Sequence, residues 1–266
     1  MKRFGWMLRG YVGFFFAFLY APILVLIILS FNDSEMMGFP FKGFTLRWYA
    51  QVFEGGALVR ALANSFGVGF ASAFLATAIA LMAALGLRHH FPGRALVVPA
   101  FLLPIITPGI VSGVMLLVFL GLTGLPYGLW TGALIAHVTW VLPFAFLTLY
   151  PRLHKFDRSI EEAAMDLGAT PWVVFHRIVL PLIRPALIAT LLFAFTLSFD
   201  EFIRTLFVAG SARTTPVHLW LLIVEQVAPQ LPAVGVVIMS VSALIAAAGF
   251  WLSGRASRLA ASFERR

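Results

Sequence analysis

The chain has 266 residues, of which 61% are hydrophobic and 11% charged, with a formal net charge of +8. A water-soluble domain carries about 25% charged residues, so a soluble globular fold is excluded. No cysteine is present, which removes disulfide frameworks, thiol catalysis and cysteine-ligated metals from consideration.

Apolar runs bounded by charge, glycine or proline predict six membrane-spanning helices, at about residues 10–31, 62–87, 95–121, 129–150, 186–208 and 233–254. The expected fold is therefore all-α, a single polytopic membrane domain over 1–266. The first run follows Lys2 and Arg3 but is too long for a signal peptide and lacks a small-residue cleavage pattern, so it reads as a retained helix.

Six crossings put both termini on one side. The segments on that side hold Lys2, Arg3, Arg9, Arg88, Arg94, Arg152, Lys155, Arg158, Arg177, Arg184, Arg255, Arg258, Arg265 and Arg266, which is fourteen of the nineteen lysines and arginines. The positive-inside rule makes this side cytoplasmic, and the same placement accounts for the basic balance without nucleic acid. On the other side, Phe44, Trp48, Tyr49 and Phe53 recur at near-helical spacing, predicting a segment that lies along the membrane surface.

The longest cytoplasmic segment runs from Pro151 to about Pro185. Ser159 with Glu162 three residues later has the form of a capping box, in which hydroxyl and carboxylate each satisfy the other residue's amide. Ile160, Ala163, Ala164 and Leu167 share one helical face, and Gly168 is placed to stop the helix. Thr170 and Pro171 then form an N-cap and first helical residue, predicting a second short helix toward Pro181. A loop of this length folds into something whether or not it has a role, so capping alone does not define a function.

The order of residues is more specific. Glu162, Ala163 and Ala164, then Gly168, then Ile178, Leu180 and Pro181 match the spacing of the Glu-Ala-Ala motif of membrane subunits in ABC importers, which this segment resembles in every element. The resemblance extends over nearly the whole chain to the spermidine/putrescine permease group. It is carried by Ser30-Phe31-Asn32, Gly43-Phe44-Thr45 with Trp48-Tyr49, His137-Val138-Thr139 with Leu142-Pro143-Phe144, and Ser198-Phe199-Asp200-Glu201. Polyamine permeases tend to carry an acidic residue after the proline of the third span, whereas here Pro108 is followed by Gly109.

The resemblance implies a type I importer fold in a bacterial inner membrane, with the helix pair docking on an ATPase through Glu162, Ala163, Ala164, Asp166 and Gly168, and with Ile178, Leu180 and Pro181 leading back to the membrane. It further implies two ATPase subunits that bind ATP and magnesium, a second permease subunit and an extracytoplasmic solute-binding protein. Polyamines are the implied cargo. Iron complexes, phosphonates or thiamine are carried by related permeases.

Within the fifth span, Asp200 and Glu201 are carboxylates at a depth where each costs about 2.5 to 3.5 kcal/mol to insert. Either can attract an ammonium group, or Arg204, one turn on, can neutralise one of them. Neighbouring helical residues diverge by about 100°, so the two cannot share one narrow path, and Asp200 is the preferred candidate. Ser198, His137 and Trp140 are further candidates to line a path, although a membrane histidine more often bonds a neighbouring helix. Gly109 and Gly113 form a GxxxG pair that favours close helix packing.

His89 and His90 have cationic neighbours and no carboxylate or thiol nearby, so no metal site is expected. The only lysines, Lys2, Lys42 and Lys155, follow Met1, Phe41 and His154, so the Gly-Lys of a phosphate-binding loop is missing and the chain needs another source of energy. An ion-coupled carrier using Asp200 or Glu201 is the competing class. No HExxH or GxSxG element supports a hydrolase.

Overall fold

The computed structural model describes residues 2–225 and 228–263. It divides into two compact units, Met1–Val59 with His218–Leu244, and Arg60–Val217 with Ile245–Arg266. Four helical stretches are long and apolar enough to cross a membrane: Trp6–Ser30, Arg47–Gly86, Leu129–His154 and Pro171–Phe199. A fifth candidate is the pair Arg94–Ile106 and Gly109–Thr123, bent by 103° at its break. The sixth expected span falls on Leu231–Phe263, whose C-terminal side chains lie outside the described residues.

In the first unit, helix α1 (Lys2–Ser30) buries no residue of its most apolar stretch. The chain leaving it is organised by Asn32. Its side-chain amide donates to the Gly38 carbonyl at 3.0 Å and accepts from the Lys42 amide at 2.8 Å, while its own carbonyl accepts from Trp48 Nε1 at 2.8 Å. Trp48, on the short helix α2 (Arg47–Phe53), is therefore buried, 5% exposed, where the sequence pattern had placed it on the membrane surface with Phe44 and Phe53. Those two are exposed, and Phe31 stacks on Phe44 with ring centres 5.0 Å apart.

The second unit holds α3 (Ala57–Gly86) beyond its first turn, α4 (Arg94–Ile106), α5 (Gly109–Thr123), α6 (Leu134–His154), α7 (Ser159–Asp166), α8 (Pro171–Val174), α9 (Leu180–Phe199) and α10 (Ile203–Val208). Lipid tails are as apolar as leucine, so membrane helices associate through close packing of small residues. Ala73, Ala76, Ala80 and Ala84 of α3 are all buried at helical spacing. A methyl group on Gly69 would lie 2.8 Å from the Phe195 ring, one on Gly113 2.6 Å from the Phe207 ring, and one on Gly132 2.4 Å from the Val208 carbonyl oxygen. The GxxxG pair thus seats α5 against the residues of α10.

Two expected spans are broken. The third, expected to run unbroken over 95–121, stops at Ile106 because Pro108 has no amide to donate and forces Thr107 into extended geometry, with ψ of 123°. The fifth, expected over 186–208, stops at Phe199 and resumes at Ile203. In turn, Pro171–Phe199 is one helical rod of 29 residues with a wide π-type turn at Phe175–Val179, so the second short helix expected in the connecting segment is continuous with the membrane span. A short apolar helix, α11 (Thr215–Glu225), occupies a segment expected to be a connection.

Gly132→Ala should destabilise the protein by about 1–3 kcal/mol through overpacking against the Val208 carbonyl, read as a lower midpoint of thermal unfolding in detergent, whereas Gly86→Ala, which meets nothing within 4 Å, should not.

Candidate functional site

The helix pair between the fourth and fifth expected spans begins at Asp157. Its carboxylate oxygen accepts from the Ser159 amide at 3.0 Å, while the Glu162 amide bonds the Arg158 carbonyl, so the expected Ser159–Glu162 capping box does not form. Asp157 takes the capping task two residues earlier, because its shorter side chain reaches the free amide from outside the helix. The hydrogen bonds from Ser159 hold the Asp157 carboxyl below the usual aspartate range. A depressed folded-state pKa contributes stability above the ordinary aspartate pKa that is lost as pH falls through the folded value.

The stop at Gly168 forms as expected. Gly168 has φ of +89°, its amide bonds the Met165 carbonyl at 2.8 Å, and the Ala169 amide bonds the Ala164 carbonyl at 3.0 Å, the paired bonds of a Schellman motif. Thr170 caps α8 by accepting from the Val173 amide, with Pro171 in the first helical position.

No residue of α7 is buried. Glu162, Ala163 and Asp166 are exposed, Ala164 is half-buried, and Leu167, on the apolar face expected with Ile160, Ala163 and Ala164, is 90% exposed. Ile178 and Leu180 are half-buried and Pro181 is exposed at the start of α9. The other acid, Glu161, points inward to an ion pair with Arg88.

The second group of candidates lies at the break between α9 and α10. Glu201, 7% exposed, accepts from the Arg204 backbone amide at 2.9 Å and from its guanidinium at 2.8 Å. The guanidinium lies 4.1 Å from the centre of the Trp140 ring. Glu201 is thus neutralised and turned inward, and it anchors the first turn of α10.

Asp200 is exposed, and no hydrogen bond or ion pair engages its carboxylate among the described residues. It lines an open recess of about 510 Å³ with Trp140, Glu201, Arg204, Thr107, Pro108 and Gly109. The two helix breaks therefore face one space.

His137 and Ser198 lie behind the recess, both 1% exposed. Thr205 Oγ1 donates to the Glu201 carbonyl at 3.1 Å, so it accepts from His137 Nε2–H at 2.7 Å. His137 Nδ1 then accepts from the Ser198 hydroxyl at 2.6 Å, and Ser198 accepts from Ser72 at 2.7 Å. This relay assigns the Nε2–H tautomer and ties α3, α6, α9 and α10 together. His137 and Ser198, expected as path-lining residues, are interior fasteners, since burial leaves them no open face.

Ser72, Thr205, Arg88 and Asp157 were missed by sequence reasoning. Ser72 and Thr205 are hydroxyls inside apolar runs, a weak signal, and Arg88 meets a partner 73 residues away that no local pattern points to.

A capped helix pair thus runs into a rod apolar enough to cross a membrane, and that rod ends at a polar break. The chain belongs to the family described as Binding-protein-dependent transport system inner membrane component, whose pattern matches residues 76–258. It is 35% identical over 241 residues to the Spermidine/putrescine transport system permease protein PotC of Escherichia coli (strain K12), covering 90% of each chain. It is also 35% identical over 252 residues to the Putrescine transport system permease protein PotI of the same organism, covering 91% of this chain and 89% of that one. In fold it is similar to a bacterial ABC transporter that imports the acidic polysaccharide alginate, with a TM-score of 0.74 and 16% identity over 96% of both chains. It is also similar to the MetNI methionine ABC transporter, with a TM-score of 0.60 and 20% identity over 75% of this chain and 96% of that one.

Glu201→Ala should cost about 3–5 kcal/mol, because it leaves the buried Arg204 charge unpaired, and should lower the thermal midpoint in detergent far more than Asp200→Ala. Acidification should lower the protection factor of the Ser159 amide, its exchange measured relative to the intrinsic rate at each pH, and Asp157→Asn, which keeps an acceptor without the titrating charge, should flatten that response.

Proposed function

We propose that this chain forms part of the path by which a polyamine enters the cytoplasm, in a complex where two ATPase subunits bind ATP and magnesium, a second permease subunit completes the path and an extracytoplasmic protein delivers the cargo. Both termini are cytoplasmic, as the distribution of lysine and arginine favours. Asp200 is the observation that carries the reading. Asp200 and Glu201 bring two negative charges to the recess and Arg204 cancels one, leaving a single uncommitted carboxylate beside an aromatic ring. An ammonium group that has shed water can replace its hydration by donating a charge-assisted hydrogen bond to that carboxylate.

The names of the PotC and PotI relatives support the polyamine class. Glu162, Ala163, Ala164, Asp166 and Gly168 form the docking face for the ATPase. Small alanines permit close approach, and the glycine sets the exit angle toward the rod. When the ATPases close on ATP, displacement of α7 passes through Gly168 into Pro171–Phe199 and reaches the break at Asp200.

With the complex reconstituted in vesicles, Asp200→Asn should lower ATP-dependent uptake of radiolabelled spermidine by about tenfold, the size of one charge-assisted contact, while basal ATP hydrolysis persists. Unchanged uptake would remove Asp200 from the path. Glu162→Ala should detach the ATPase subunits from the purified complex, and retention of both subunits with normal uptake would refute the docking assignment.

A further inference from the structure

We propose that Arg88 is a positioning residue for energy coupling, pinning α7 to the cytoplasmic end of α3 so that a push on α7 enters the membrane by two routes. The inference rests on the reading of α7 as the ATPase-docking helix.

Arg88 is fixed to the last turn of α3, since the Leu87 amide bonds the Ala83 carbonyl and its own amide bonds the Leu85 carbonyl. Three groups from residues 156–161 converge on it. Its guanidinium donates to the Glu161 carboxylate and lies 5.4 Å from the centre of the Phe156 ring, and its backbone carbonyl accepts from the Arg158 guanidinium. The Arg88 side chain is 8% exposed, so the ion pair is shielded from screening by salt. The nearby Arg94 takes no part: its guanidinium donates to His90 Nδ1 at 3.4 Å, at the exposed surface.

Glu161 and Glu162 point about 100° apart on the helix, which divides two adjacent acids between two tasks. Glu162 is exposed, toward a partner, and Glu161 holds Arg88.

The mechanical consequence follows from how α7 is attached. With only its chain connections, to α6 through residues 155–158 and to α8 through Gly168, α7 would pivot about those two ends under load and pass nothing to α3. The tether to Arg88 removes that pivot. One route then runs through Gly168 and the rod to Ser198, and the other runs from Arg88 up α3 to Ser72, which donates to Ser198. Both arrive two residues before Asp200.

The chain contains no cysteine, so a single Thr107→Cys reports access to the recess by its rate of maleimide labelling, without reference to any cargo. In the assembled complex, trapping with ATP and vanadate should change that rate in the parent. Arg88→Met and Glu161→Gln should each abolish the change, and lower spermidine uptake by about tenfold or more, with the ATPase subunits retained and basal hydrolysis intact. Combining the two should cost no more than either alone, and the charge exchange R88E/E161R should restore the labelling response. A normal response in either single variant, or no recovery on exchange, would overturn the proposal. Glu162→Ala separates the two readings. If it leaves the ATPases bound and uptake normal, the docking assignment fails, whereas a normal Arg88→Met beside an inactive Glu162→Ala removes the tether alone.

Discussion

A helix that ends inside a hydrocarbon layer exposes amides and carbonyls that no water is there to satisfy, so it ends only where the protein supplies partners. Helix α9 ends at Phe199, and the partners are supplied around His137. Ser198 and Thr205, on either side of the break, are held by the two nitrogens of one imidazole, and Glu201 takes the first free amide of α10 through its carboxylate. Without this relay the shorter solution is an unbroken helix over the same residues. That helix would place Asp200 on its surface with no recess in front of it.

The same bonds sort the two carboxylates. Glu201 is consumed in building the break, since its charge neutralises Arg204 and its oxygens cap α10. Asp200 is left with no structural task. A pair of acids in a membrane helix is thus one fastener and one free charge, and Arg204, stacked on Trp140, keeps the first from competing for a cation with the second. The division between Glu161 and Glu162 at the cytoplasmic end follows the same logic, with one acid closing an internal ion pair and its neighbour left exposed.

Between these two levels lies a stiff connection. The rod Pro171–Phe199 begins at the capped turn of the cytoplasmic pair and finishes at the break, and its wide turn at Phe175–Val179 is the one departure from α-helical winding along it. Close packing through Gly69 and Gly113 leaves little room for the surrounding helices to yield. A displacement at one end of the rod would therefore be carried along its length rather than absorbed along the way.

Much of this was legible in the residues themselves. Long apolar runs specify membrane helices because the penalty for burying charge is large and local. Gly168 and the Thr170-Pro171 pair mark helix ends because left-handed backbone and a missing amide are properties of single residues, and the spacing from Glu162 to Pro181 identified the cytoplasmic pair. Contacts between distant segments left no such mark. The expected capping box yielded to Asp157, two residues upstream, because several acceptors can satisfy one free amide and only the folded turn selects among them. His137 and Ser198 read as path-lining residues until the helices brought Ser72 and Thr205 against them. Arg88 read as one more cytoplasmic cation until α7 folded back to it. The sequence by itself determined that the chain is built of long apolar helices and where some of them stop, at Gly168 and before Thr170-Pro171, since those depend on hydrophobicity and backbone chemistry along the chain. Which of Glu161 and Glu162 is left exposed was decided by tertiary structure alone, because that depends on Arg88 arriving from 73 residues away, whereas Arg204, the partner of Glu201, lies only one turn along the chain.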